Sequence, residues 1–182
     1  MLTLRQHRRF SFLLVILTLL YTSSLQAGGL TAGQIQSAYI FQISKFVTWP
    51  ASRMQGEQFN VCYLPPDDLG GMLAMMQGRR IFQKDVTIVP LKNLQAADNC
   101  HVLFIGEHPQ LSVRQLVALA QENHILTVSP SAQSLTHSML ALPLVDNKVE
   151  LQVNLNLLNS ADLHMSTNLL EIASRVIKGD TP

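Results

Sequence analysis

The chain has 182 residues, 47% of them hydrophobic and only 14% charged, with a formal net charge of +1. That balance offers no basic stripe to replace the counterions of a nucleic acid or of an anionic membrane surface, so neither is implied as a partner. The length after any leader suits one domain with its own apolar core and falls short of two.

The first 27 residues read as an export signal. Arg5, Arg8 and Arg9 precede an apolar run from Phe10 to Tyr21, and the small and polar stretch Thr22 to Ala27 follows. The run is about 12 residues against the roughly 20 a membrane span needs. Cleavage is expected near Ala27, with Ser24 or Gly28 as other small residues at the cut. Losing three arginines lowers the basic count from 13 to 10 against 12 acidic residues, so the mature chain carries −2. The expected organisation is residues 1–27 as signal and 28–182 as a single exported domain.

Helical spacing of Ile35, Ala38, Tyr39, Phe41, Ile43, Phe46 and Val47 predicts a helix over 31–48, capped by Thr31. It ends at Trp49-Pro50, because a proline turns its predecessor out of helical geometry; the tryptophan then lies across the helix end or on the neighbouring sheet. Phe59 to Leu64 reads as a buried strand, broken by Pro65-Pro66, with Asp67 placed to cap a second helix to about Gln77. Its methionines, Met72, Met75 and Met76, suit soft core filler. Gly78-Arg79-Arg80 leads into a strand near Val86 to Leu91. No phosphate-cradling glycine pattern accompanies these turns.

Cys100 to Gly106 is a continuous apolar run closed by glycine, as a central strand of a parallel sheet would be. Leu111 to Asn123 follows as an amphipathic helix and Ile125 to Val128 as the strand it returns to, a crossover unit. A short helix near Ala132 to Leu135 leads to Met139–Leu144, which turns at Asp146-Asn147 into Val149–Asn154 as an antiparallel hairpin at one end of the sheet. The last stretch reads as a short helix from Leu155, a break at Ala161-Asp162, and a final helix opened by Ser166. That helix packs through Leu169, Leu170, Ile172, Ala173, Val176 and Ile177, with Glu171 and Arg175 paired on its exposed side. The predicted class is α/β: a mostly parallel central sheet flanked by helices, with a hairpin at one end and C-terminal helices.

Cys62 and Cys100 are the two cysteines, both beyond the signal. In an oxidising compartment they read as one structural disulfide, worth about 4 kcal/mol in the chain-entropy picture for a loop of some 38 residues. A reactive pair would favour Cys-x-x-Cys spacing, which is absent. Cys100 and His101 are neighbours on a strand and point to opposite faces, so they do not form a nucleophile and base. His108, His124, His137 and His164 show no metal-ligand spacing. No metal, cofactor or active site is expected, and the protein reads as a non-enzyme. A small-molecule-binding protein and a thiol–disulfide oxidoreductase are the alternatives.

Together, Lys45-Phe46-Val47-Thr48-Trp49-Pro50, the cysteine on the first strand, the Cys100–Gly106 run, Leu126-Thr127-Val128-Ser129, and Val153-Asn154 ahead of Leu169-Leu170 resemble the YfiR family of exported bacterial proteins over roughly residues 31–177. The resemblance implies an α/β fold, often dimeric. It implies a periplasmic repressor that binds the periplasmic domain of an inner-membrane diguanylate cyclase, holding down cyclic di-GMP, exopolysaccharide and biofilm; the membrane is met only through that partner. The family's shared cysteine pair corresponds to Cys62 and Cys100, and a second disulfide of some members has no cysteines here. Its ligand and partner surface maps onto Gln152 and His164, neither of which keeps the family's charge, so no arginine fork awaits a carboxylate or phosphate. Leu158 falls where the family presents an apolar residue to its partner, and Asn154 and Ser166 complete the candidate set.

Overall fold

The computed structural model describes residues 30–65, 68–106 and 111–179. The predicted signal, residues 1–27, the Asp67 cap and His108 lie outside the described residues.

Thr31 opens helix α1 (Ala32–Ser44) with a full capping box: its hydroxyl accepts the Gln34 N–H at 3.3 Å and the Gln34 side chain accepts the Thr31 N–H at 2.8 Å. The helix stops at Ser44, four residues earlier than the periodicity predicts, and Val47–Thr48 form strand β1. Its buried face is also rotated, with Gln36, Ser37, Ile40, Phe41, Ile43 and Ser44 inside while Ala38 and Tyr39 face out. Of the polar members of that face, Gln36 and Ser44 are satisfied by the fold, while the Ser37 hydroxyl is buried without a hydrogen-bond partner. Gln36 donates to the Leu142 carbonyl at 2.8 Å, and Ser44 to Ile40 one turn back at 2.7 Å.

The main sheet is built from β2 (Gln58–Tyr63), β3 (Arg80–Ile81), β4 (Lys84–Pro90), β5 (Val102–Phe104), β6 (Leu126–Ser129), β7 (Leu140–Ala141), β10 (Gln152–Asn154) and β12 (Arg175–Ile177), in the order β12-β10-β7-β6-β5-β2-β4-β3. From β7 to β4 every neighbouring pair is parallel. β5 sits mid-sheet, and Val102, Leu103 and Phe104 are fully buried, as its unbroken apolar run predicts. Helix α2 (Asp68–Leu73) and a 3-10 turn (Ala74–Met76) follow β2. Of the three methionines there, Met76 is core, Met72 packs against it and Met75 is exposed.

Helix α3 (Val113–Glu122), capped by the Ser112 hydroxyl, joins β5 to β6 as the crossover predicted. Its burial rests on Leu116 and Ala120, with Val113 exposed in the first turn. β7 and β10 pair antiparallel, and beyond them β8 (Leu144–Val145) and β9 (Lys148–Val149) close the expected hairpin. Asp146 and Asn147 both take positive φ, 47° and 62°, the geometry of a two-residue primed turn.

The C-terminal helix is the main correction. Helix α4 (Leu155–Ser160) and the break after it are present, but the final helix α5 runs only from Thr167 to Glu171. Arg175–Ile177 instead add β12 to the sheet edge, parallel to β10, so the hairpin strands are not outermost. Ser174 fixes the switch: its N–H donates to the Leu151 carbonyl at 2.8 Å and its hydroxyl to Glu150 at 2.8 Å. The β-branched Val176 and Ile177 then serve a strand better than a helix. With Arg175 in a strand, the helical pairing with Glu171 is lost. From Thr31 on, the chain forms one compact unit.

Candidate partner-binding site

The five candidate residues separate by depth. Asn154 is buried at the start of α4: its Oδ1 accepts the Leu157 N–H at 3.2 Å and its Nδ2 donates to the Leu135 carbonyl at 2.9 Å. That is a helix cap tied to a second segment. Leu158 is fully buried among core side chains, so it contributes packing and presents nothing to an outside partner, contrary to the role the resemblance implies. Gln152 is buried on β10 with Oε1 unpartnered. His164 alone is exposed, its Nε2 3.6 Å from an Asp162 carboxylate oxygen. It lies in β11 (His164–Met165), which pairs antiparallel with β1, Thr48 facing His164 and Val47 facing Met165. Ser166 extends that ribbon, its N–H donating to the Phe46 carbonyl at 3.0 Å while its hydroxyl is buried and unpartnered. The set therefore makes one packing unit (Asn154, Leu158) and one exposed ribbon (His164), not a single surface.

A groove of about 390 Å³ lies elsewhere, lined by the exposed apolar residues Tyr39 from α1, Val145 from the hairpin and Ile172 after α5, together with buried Val149 and Leu151 and the charged Asp146, Lys148 and Glu150. Ile172 is 71% exposed, and Leu144 and Val145 extend the apolar rim. Exposed large apolar side chains gathered around a concavity are typical of a contact surface.

At the sheet centre, Cys62 on β2 and Cys100 just before β5 form a disulfide with Cα atoms 5.9 Å apart. A comparison with known protein families matches the YfiR/HmsC-like family over residues 33–174. The chain belongs to that family. It is a regulatory, periplasmic family. No curated protein matches the sequence. Among the described residues no helix is long and apolar enough to cross a membrane, and no three histidine, cysteine or acidic side chains are placed to hold a metal ion.

Beside the disulfide lies a polar arrangement that sequence reading missed. The Asn60 N–H donates to His101 Nδ1 at 3.0 Å, which leaves the proton on Nε2 to donate to the Arg53 carbonyl at 2.9 Å. The neutral tautomer is thereby fixed. Burial, opposed by the Arg53 hydrogen bond and reinforced by the Arg53 and Lys84 charges, pushes His101 down to about 4. Arg53 donates to the Cys100 carbonyl at 2.7 Å, and burial lowers its pKa against the pull of Asp98. Arg53, Asn60 and His101 line an open cleft of about 520 Å³. Neither this cleft nor the groove includes His164. The groove's own residues were hidden because Tyr39 and Ile172 fit helical core periodicities. The signal that could have found them is the polar pair Gln36 and Ser37, whose burial turns Tyr39 outward.

Proposed function

We propose that this protein is exported, sheds residues 1–27, and as a single domain over 28–182 represses an inner-membrane diguanylate cyclase by binding its periplasmic domain. It acts without catalysis of its own. The observation that carries this reading is the family match over residues 33–174 on a chain whose first 27 residues have the form of an export signal. The contact is assigned to the groove between Tyr39, Val145 and Ile172, with the His164 ribbon beside it, while Gln152, Asn154 and Leu158 hold that region in shape from inside. Binding the inactive conformer better than the active one shifts the cyclase population toward the inactive state, with no chemical step needed. The test is a deletion strain: cyclic di-GMP and exopolysaccharide rise severalfold, and restoring the gene lowers them. Unchanged messenger levels in the deletion strain overturn the reading.

A further inference from the structure

The near-neutral composition argues against contact with an anionic surface, yet folding gathers cations that the sequence keeps apart. Lys45 at the C-terminal end of α1 and Arg79 ahead of β3 both sit over the Phe41 ring, Nζ at 4.1 Å and Cζ at 3.8 Å from its centroid. Two like charges thus share one buried ring, whose negative π-face holds them in place. Among the described residues neither has an acidic partner; the ion pairs there are Arg80–Asp85 and His164–Asp162.

Large exposed apolar side chains lie close by in sequence, one residue after Lys45, three after Arg79 and four before it. Phe46, next to Lys45, is 49% exposed, Phe82 46% and Met75 57%. Phe82 projects from the two-residue β3–β4 turn with a positive φ of 50°, a strained setting for an aromatic residue, and its inner edge meets buried Trp49 at 6.3 Å. The tips come from three separate segments and project from turns. A protein partner would need a matching pocket for each, whereas a fluid bilayer interface takes such tips anywhere along it and supplies the anions for the cations between them.

We propose that this end of the molecule docks on an anionic phospholipid surface, cations against headgroup phosphates and the Phe46, Phe82 and Met75 tips in the interfacial layer. The inference goes beyond repression and needs only that the protein be exported. Each cation near an anionic surface strengthens binding about fivefold. Two give a weak hold, which matters for a protein whose second contact is already in the membrane, because the two attachments then multiply.

The test is co-sedimentation of the exported protein with phosphatidylglycerol vesicles, with phosphatidylcholine vesicles as the neutral control. The expected result is binding to the first only, falling as salt rises, and lost by about 25-fold or more in a Lys45→Glu, Arg79→Glu double variant. Phe82→Asn, which suits the left-handed turn, and Phe46→Ser weaken binding while leaving its salt dependence in place. Absence of binding to phosphatidylglycerol at low salt, or equal binding by the folded charge-reversed variant, overturns the proposal. So does a parent that ignores both vesicles while the double variant loses the cyclase's periplasmic domain, since the face is then a protein contact. Lipid binding in a strain whose cyclic di-GMP ignores the gene would support this inference and sink the repressor reading, so the two fail separately.

Discussion

The sheet centre and the C-terminal rim are built on different principles. At the centre, β2 and β5 are joined by parallel pairing, by the Cys62–Cys100 bond, and by a ring stack in which Trp49 meets Phe59 edge-on at 5.3 Å and Phe59 lies on His101 at 4.6 Å. At the rim, β11, α5 and β12 are two to five residues long, held by short ladders to β1 and β10 and by backbone bonds such as Ser166 to Phe46 and Ser174 to Leu151. Ile172 between them stands in solvent. The contrast teaches where each kind of change will be felt: the centre carries stability through several mutually supporting contacts, and the rim displays an apolar side chain on which the fold does not depend, which is why the proposed contact is placed there.

Breaking the centre gives the largest effect. Cys62→Ala reopens a link between residues 38 apart in sequence, at a cost of about 4 kcal/mol. That rivals the net stability of a whole domain. The thermal midpoint is expected to fall by roughly 10 °C, and the unreduced parent should show no free thiol on labelling. A variant that melts with the parent would mean that the bridge does not hold the centre together.

A smaller effect comes from acid. His101 is neutral in the folded state, with a pKa lowered to about 4 from 6.5. A group depressed in this sense binds fewer protons folded than unfolded, so its contribution is whole above pH 6.5 and is lost as pH falls toward 4. The loss is on the order of 3 kcal/mol, read as a falling denaturation midpoint across that window. His101→Gln should flatten the slope. A parent curve already flat between pH 6.5 and 4 would show that the Asn60–His101–Arg53 chain does not fix the neutral ring.

What the sequence disclosed follows the same division. The Thr31 cap, the Asp146-Asn147 turn and the Cys100–Gly106 strand were legible because a few adjacent residues decide them. The β1–β11 ribbon and β12 were not, because their pairing partners lie more than a hundred and about twenty residues away, and the local pattern of Val47 or Val176 suits a helix equally well. The β3–β4 hairpin was hidden for another reason: Phe82-Gln83 occupies a turn that glycine and asparagine normally take. Of the candidate site, three of the five residues carried over from the family face inward. Depth is a property of packing, which the motif does not record.

The finest way to sharpen the contrast is to alter the rim alone. Ile172→Ser removes an apolar side chain that is 71% exposed and sits between α5 and β12. A surface change of this kind moves stability by no more than about 0.5 kcal/mol, so the melting curve should overlay that of the parent. Repression should nonetheless weaken, because the groove loses apolar area at its mouth where a partner would be desolvated, and Val145→Ser on the opposite wall should do the same. The readout is cyclic di-GMP in a strain carrying the variant at parental periplasmic levels, expected to rise toward the deletion value. If both variants repress as well as the parent, the groove is not where the cyclase binds. The contact would then move to another exposed face, with the His164 ribbon as the next to be altered.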